Sequence, residues 1–140
     1  MRVVLDTNVL LDVLLNRPGL VHDSSVLFGF AEHKRYVGLV VATSLPTVHY
    51  IVEKARDREV ALRGIGRLLR LFEVASVGRA EVTIEATADA GFGDYEDGVV
   101  HAAAVAAQAD AIVTRNEKDF AASMLPVYTP AEMLAVLSNA

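Results

Sequence analysis

The sequence predicts an α/β fold in three layers, with a central parallel sheet of about five strands and helices on both faces. Three observations predict it. Short β-branched runs alternate with longer helical stretches along the chain. The strand runs are continuously apolar, which suits strands buried on both faces. The 140 residues contain no internal repeat, low-complexity tract or linker, so they read as one domain, 1–140, long enough to bury a core.

Taken in order, the expected strands are residues 2–5, 37–42, 72–77, 111–114 and 126–128. A helix is expected soon after Asp6, with Asp12 one or two turns into it. Val48, Ile51, Val52 and Ala55 recur at i, i+3, i+4 and i+7, a helical stripe. Ser44 is the expected N-cap of that helix, with Pro46 in its first turn. Arg63, Arg67 and Arg70 fall on one face of the next helix. Gly91-Phe92-Gly93 reads as a loop, since no strand precedes it and no further spaced glycine follows. Residues 96–108 are rich in Ala and Val, so a helix there can lie close to the sheet. Asp110 is expected in the turn before the fourth strand. Thr129-Pro130-Ala131-Glu132 has the form of a capping box with proline at the first helical position.

Composition narrows the chemistry. With no cysteine, disulfides, thiolate metal sites and cysteine nucleophiles are excluded. No apolar run approaches the ~20 residues of a membrane-spanning helix. Asp6 interrupts the stretch where a leader would be apolar, so a soluble, cytoplasmic protein is expected. The net charge of −5 opposes a phosphate backbone, but six of the 13 Lys and Arg fall between Lys54 and Arg70, so the charge is unevenly spread.

Three acidic features sit where an open parallel sheet binds ligands, beyond the carboxyl ends of its strands. Asp6 directly follows the first strand. Asp94 and Asp97 open the Ala-rich helix. Asn116 and Asp119 directly follow the 111–114 strand. If they converge, their mutual repulsion calls for a cation. Hard oxygen donors suit Mg²⁺ or Mn²⁺, and the chemistry would be metal-assisted phosphodiester hydrolysis. Each feature also fits a plain role. Asp6, Asp94 and Asn116 have the position of helix caps, with Asp97 and Asp119 at the third helical position.

The motifs match a family. Leu5-Asp6-Thr7-Asn8-Val9-Leu10 resembles the opening motif of PIN-domain ribonucleases. Asp94-Tyr95-Glu96-Asp97 ahead of the Ala-rich helix resembles the family's third acidic motif. Ile112-Val113-Thr114-Arg115-Asn116-Glu117-Lys118-Asp119-Phe120 resembles its last. The resemblance runs from Met1 to about Met133. It implies a Rossmann-like sheet, Mg²⁺ or Mn²⁺ dependence and endoribonuclease activity on RNA. Many small prokaryotic members are toxins of the VapC type, silenced by an antitoxin protein, and many are homodimers. On this resemblance Asp6 and Asp97 are the primary metal ligands, with Asp119 and Asp94 alongside. Asn116 offers a neutral oxygen, and Thr114 orients a water at the ion, with Asn8 and Thr47 in support. Arg63, Arg67, Arg70 and Arg115 are candidate RNA contacts, although a solvated arginine face is the more common explanation for the first three.

Two positions depart from the family pattern. Its usual glutamate, early in the helix after the second strand, falls at Thr47. Glu53 is no substitute, because six residues turn a helix by about 240° and advance it ~9 Å. The fourth acid is Asn116 here, with Asp119 one turn further on. A second reading is therefore a non-catalytic PIN-like module that binds RNA or a protein partner. A third uses Asp6 as a phosphorylated nucleophile, although Asp-Thr-Asn lacks the second aspartate that such phosphatases use. The four histidines show no paired metal spacing. His101, four residues from Asp97, fits a packed or helix-surface residue, or one sharing its face.

Overall fold

In the computed structural model, which describes residues 1–139, five parallel strands form one sheet in the order β3-β2-β1-β4-β5. These are β1 (Arg2–Leu5), β2 (Val37–Val41), β3 (Glu73–Ala75), β4 (Ala111–Val113) and β5 (Val127–Tyr128). The helices are α1 (Thr7–Leu14), α2 (Val21–Glu32), α3 (Ser44–Ala55), α4 (Arg58–Leu71), α5 (Arg79–Val82), α6 (Tyr95–Ala106) and α7 (Pro130–Ser138), with a 3-10 turn at Glu117–Phe120. No described helix is long and apolar enough to cross a membrane.

Alternation along the strands sorts the core into two layers. Val3, Leu5, Val40, Ala111 and Val113 face a cluster shared with α1, α2, α3, α4 and α7. Val4, Leu39, Val41 and Ile112 face α6 and Phe120. The expected helices on both faces are therefore present, five on one side and chiefly α6 on the other. Small side chains do bring α6 close, since Val100, Ala103 and Ala104 are buried against the sheet. Burial on both faces holds for β1, β2 and β4, but not for the edges. Glu73 and Val74 of β3 are exposed, and β5 is only half-buried.

Local signals were decoded unevenly. The Thr129 capping box forms, the Thr129 hydroxyl accepting from the Glu132 N–H at 3.2 Å and Glu132 accepting from the Thr129 N–H at 2.8 Å. Ser44 is not a cap. It is the first residue of α3 and fully buried, and Thr43 holds the cap position without a side-chain bond. Of the α3 stripe, Val48 and Val52 are core, Ile51 is half-buried and Ala55 is exposed, because the helix ends there. Phe72 follows α4 as its C-cap and packs edge-on to Phe28, 5.0 Å between centroids, instead of starting β3. Asp110 occupies the expected turn and accepts from the Arg2 N–H at 2.8 Å, fixing the start of β1.

Three helices end with a left-handed residue that is not glycine. At Asn16 (φ 49°), Lys34 (φ 57°) and Gln108 (φ 58°) the chain reverses after α1, α2 and α6. In each, the following N–H reaches back five residues, as Arg17 does to Asp12 at 3.0 Å, the paired bonds of a Schellman end.

Gly38 shows the tightest packing requirement. A Cβ there would stand 2.7 Å from Phe72 Cε1, inside contact distance of a buried ring. Gly38→Ala should therefore cost about 1–3 kcal/mol by overpacking. Gly29→Ala, where nothing lies within 4 Å, should be neutral or gain up to about 1 kcal/mol from helix propensity. Urea unfolding of both variants measures the contrast, and equal midpoints would contradict the packing assignment.

Candidate active site

The parallel register pairs Leu5 with Val113, so the next residues of the two strands, Asp6 and Thr114, emerge side by side. The strand order reverses here, since the chain runs outward from β1 to β3 and then returns to β4 on the other side. Asp6 is 6% exposed. Its Oδ1 accepts from the Thr7 N–H at 2.8 Å, and its Oδ2 accepts from the buried Thr114 hydroxyl at 2.8 Å. The carboxylate that caps α1 thus also lines the cleft at the sheet edge. Thr114 Oγ1 in turn accepts from the Asn116 N–H at 3.0 Å and from Asn8 Nδ2 at 3.4 Å. Asn8 Oδ1 accepts from the Arg115 N–H at 3.3 Å. The start of α1 and the turn after β4 are knitted into one unit.

α6 supplies the opposite wall. Asp94 caps it as expected, accepting from the Asp97 N–H at 3.0 Å. A cleft of about 210 Å³ joins the two walls, lined by Asp6, Asn8, Thr47, Asp94, Asp97 and Asn116, together with Thr7, Leu11 and Glu96. Asp119 and Arg115 line an adjoining hollow that shares Asn116. Asn116 makes no side-chain cap bond, and the residues after it form the 3-10 turn instead of an α-helix. α4 presents its arginines elsewhere. Arg63 pairs with Glu59 at 3.1 Å, Arg67 lies over the Phe28 ring, and neither they nor Arg70 line the acidic cleft. His101 is packed, its Nε2 accepting from the Met124 N–H at 3.0 Å and its ring 4.7 Å from that of Phe92.

Glu96 is the residue that motif reading passed over. It lies beside Asp97 on a helix, about 100° away around the axis, so only one of the two was expected to face the site. At the first turn of α6 both reach the cleft, and the Thr47 hydroxyl lies close enough to favour the charged form of Glu96. The signal was present in Asp94-Tyr95-Glu96-Asp97, but its direction was not.

Burial and crowding oppose the ionisation of Asp6, Glu96 and Asp97. Asp97 is pushed up to about 7, by burial first and then by Asp6, Asp94, Asp119 and Glu96. Asp6 is also raised by burial, against the bonds from Thr114 and Thr7, with Asp119 and Asp94 adding repulsion. Glu96 is raised by burial and then by Asp94 and Asp6. The donors are hard oxygens, and the Thr7 hydroxyl oxygen in the cleft wall is buried without a partner. Among the described residues no three His, Cys, Asp or Glu side chains are grouped so as to hold an ion by themselves. A hard ion such as Mg²⁺ is commonly held by one or two carboxylates with much of its water retained, an arrangement that this oxygen lining could supply.

A sheet of this order with acids at its switch point defines a class, and a family model confirms it. The PIN domain model matches residues 2–118, and the chain belongs to the PIN-domain family, whose members are generally nucleases. No curated protein matches the chain. Among solved structures, VapBC2 from Rickettsia felis bound to a DNA fragment from their promoter is similar at 19% identity and TM-score 0.67, over 91% of this chain and 97% of that one. A toxin-antitoxin complex from Klebsiella pneumoniae is similar at 19% and 0.68, over 91% and 97%. PAE2754 from Pyrobaculum aerophilum is similar at 12% and 0.68, over 100% and 91%. At these identities the likeness is one of fold.

The raised Asp97 pKa carries a sign. In the unfolded chain its value is the ordinary 3.8, and in the fold it is about 7, so the folded state holds the proton more tightly. That contribution to stability is full below pH ~4 and is lost as pH rises through about 7. His101, held neutral by burial, acts in the opposite direction, so variants are compared with wild type at each pH. In metal-free buffer, Asp97→Asn should raise the melting temperature relative to wild type at pH 8 and much less at pH 5. A difference independent of pH would contradict the crowding.

Proposed function

We propose that this chain is a metal-dependent endoribonuclease and the toxin half of a toxin–antitoxin pair. The observation that carries the reading is the cleft that brings Asp6, Asp94, Glu96 and Asp97 to the switch point of a PIN-domain sheet. Asp6 and Asp97 are the proposed primary ligands of Mg²⁺ or Mn²⁺, with Asp94, Glu96 and Asp119 alongside. When bound, the ion supplies positive charge to a phosphodiester and acidifies a water.

The chain's own groups prepare this site. Thr114 and the Thr7 N–H each hold one oxygen of Asp6, which fixes its carboxylate in the cleft wall. Asn116 adds a neutral oxygen where another carboxylate would raise the repulsion further. Asp97 holds a proton near neutrality in the ion's absence, so ion binding should release it and strengthen with rising pH. An antitoxin partner is supported by the similar structures, one of which is a toxin-antitoxin complex. RNA as substrate follows from the motif resemblance. Thr47, which lines the cleft without a charge, favours the second reading, a PIN-like module that binds without cutting.

Asp6→Asn should reduce Mn²⁺-stimulated cleavage of single-stranded RNA by about a hundredfold or more. Glu96→Gln should weaken Mn²⁺ binding about tenfold by calorimetry. Full cleavage by the Asp6 variant, freed of contaminating nuclease, would overturn the assignment. Mn²⁺ binding without cleavage by the wild type would favour the binding module.

A further inference from the structure

Asp12 is the one fully buried carboxylate among the described residues, and the proposed reaction does not use it. Its Oδ2 accepts from Arg115 Nε at 2.7 Å. Arg17 NH1 stands 3.5 Å from its Oδ1, an ion pair without hydrogen-bond geometry, so that oxygen has no hydrogen-bond partner. Two guanidiniums thus share one buried anion, and the group carries a net positive charge. Burying a carboxylate to hold exposed cations costs desolvation that an apolar side chain would avoid. An exposed pair would contribute little stability in return.

Both arginines are brought there by specific backbone features. The left-handed turn at Asn16 carries the chain back, so that the Arg17 N–H reaches the Asp12 carbonyl at 3.0 Å. The Arg115 N–H is held by Asn8, and Arg115 follows Thr114, the partner of Asp6. The two side chains remain 33% and 28% exposed. Only Nε of Arg115 is engaged, and its terminal nitrogens meet no acceptor among the described residues. Arg115 also lines the hollow that shares Asn116 with the acidic cleft, where Lys118 adds a second cation and Glu117 and Asp119 add two acids.

We infer that Arg115 and Arg17 form a phosphate-holding site for the RNA strand beside the acidic cleft, set in place by Asp12. A cleft of carboxylates repels the backbone it would cut, and a fixed guanidinium at its rim offsets that repulsion. With Nε tied to Asp12, the terminal edge of Arg115 is free to donate two bonds to one phosphate. Asp12 is then a positioning residue acting through the arginines. The inference rests on the nuclease reading for the nature of its ligand.

The test is fluorescence anisotropy of a labelled single-stranded RNA in EDTA across a salt series, with KM and kcat for cleavage in Mn²⁺. Arg115→Ala and Arg17→Ala should each weaken binding about five- to tenfold and lower the salt slope by about 0.7, the value for one phosphate on a single strand. They should raise KM more than they lower kcat. Arg115→Lys should keep the slope but recover only part of the affinity. Asp12→Asn, if it folds, should weaken binding with the slope retained, since it removes no cation. If it does not fold, the arginine variants carry the test alone. Unchanged affinity, slope and KM in both alanine variants would overturn the phosphate site and reduce the cluster to a structural tie. A wild type that neither binds nor cuts RNA would instead remove the nuclease reading beneath it.

Discussion

The pairing of β1 with β4 governs the rest of the structure. It joins the first strand to one laid down more than a hundred residues later, and its register decides which side chains emerge together at the carboxyl edge. Because Leu5 stands opposite Val113, Asp6 and Thr114 leave the sheet as neighbours, and one hydrogen bond closes between them. A slip of one residue would turn both core faces of β4 inside out. The buried alternation of Ala111, Ile112 and Val113 across the two hydrophobic clusters holds the register in place.

From that bond the electrostatics follow. A half-sealed cleft with carboxylates on both walls is a costly arrangement, and the fold meets the cost in two ways. Protons remain on groups such as Asp97 that would lose them in water. A neutral and a cationic residue also open the turn after β4, Asn116 in the cleft and Arg115 in the adjoining hollow. Asp12 shows the same logic inverted, an anion buried completely and matched by two cations. Within a few residues the acidic cleft gives way to a hollow of mixed charge, lined by Arg115 and Lys118 together with Glu117 and Asp119.

Much of this was legible in the sequence because its causes are local. The continuous apolar runs that mark β1, β2 and β4 gave a parallel sheet, and Asp94 and Thr129 announced their helices through cap chemistry. What failed was direction and depth. Ser44 has the composition of a cap, yet the backbone enters α3 one residue earlier and buries it. Glu96 and Asp97 cannot both face one way on a long helix, but at its first turn the cleft spans both. Asp12 is placed by its spacing one or two turns into the first helix, and only the return of Arg17 through Asn16 and the approach of Arg115 from β4 explain its burial. Such contacts depend on tertiary geometry that no spacing rule encodes. The arginines of α4 share one face, as their spacing indicates, and they line hollows other than the acidic cleft.

The central claim is that the carboxylates at the β1–β4 switch point gather around a divalent ion. Its most direct test is the anomalous difference density of Mn²⁺ in crystals of this protein, measured above the manganese absorption edge. The expected result is a peak between Asp6 and Asp97, ringed by waters, with the Asp6–Thr114 hydrogen bond intact. Manganese ordered only elsewhere on the surface, with that cleft empty at saturating Mn²⁺ and pH 8, would contradict it.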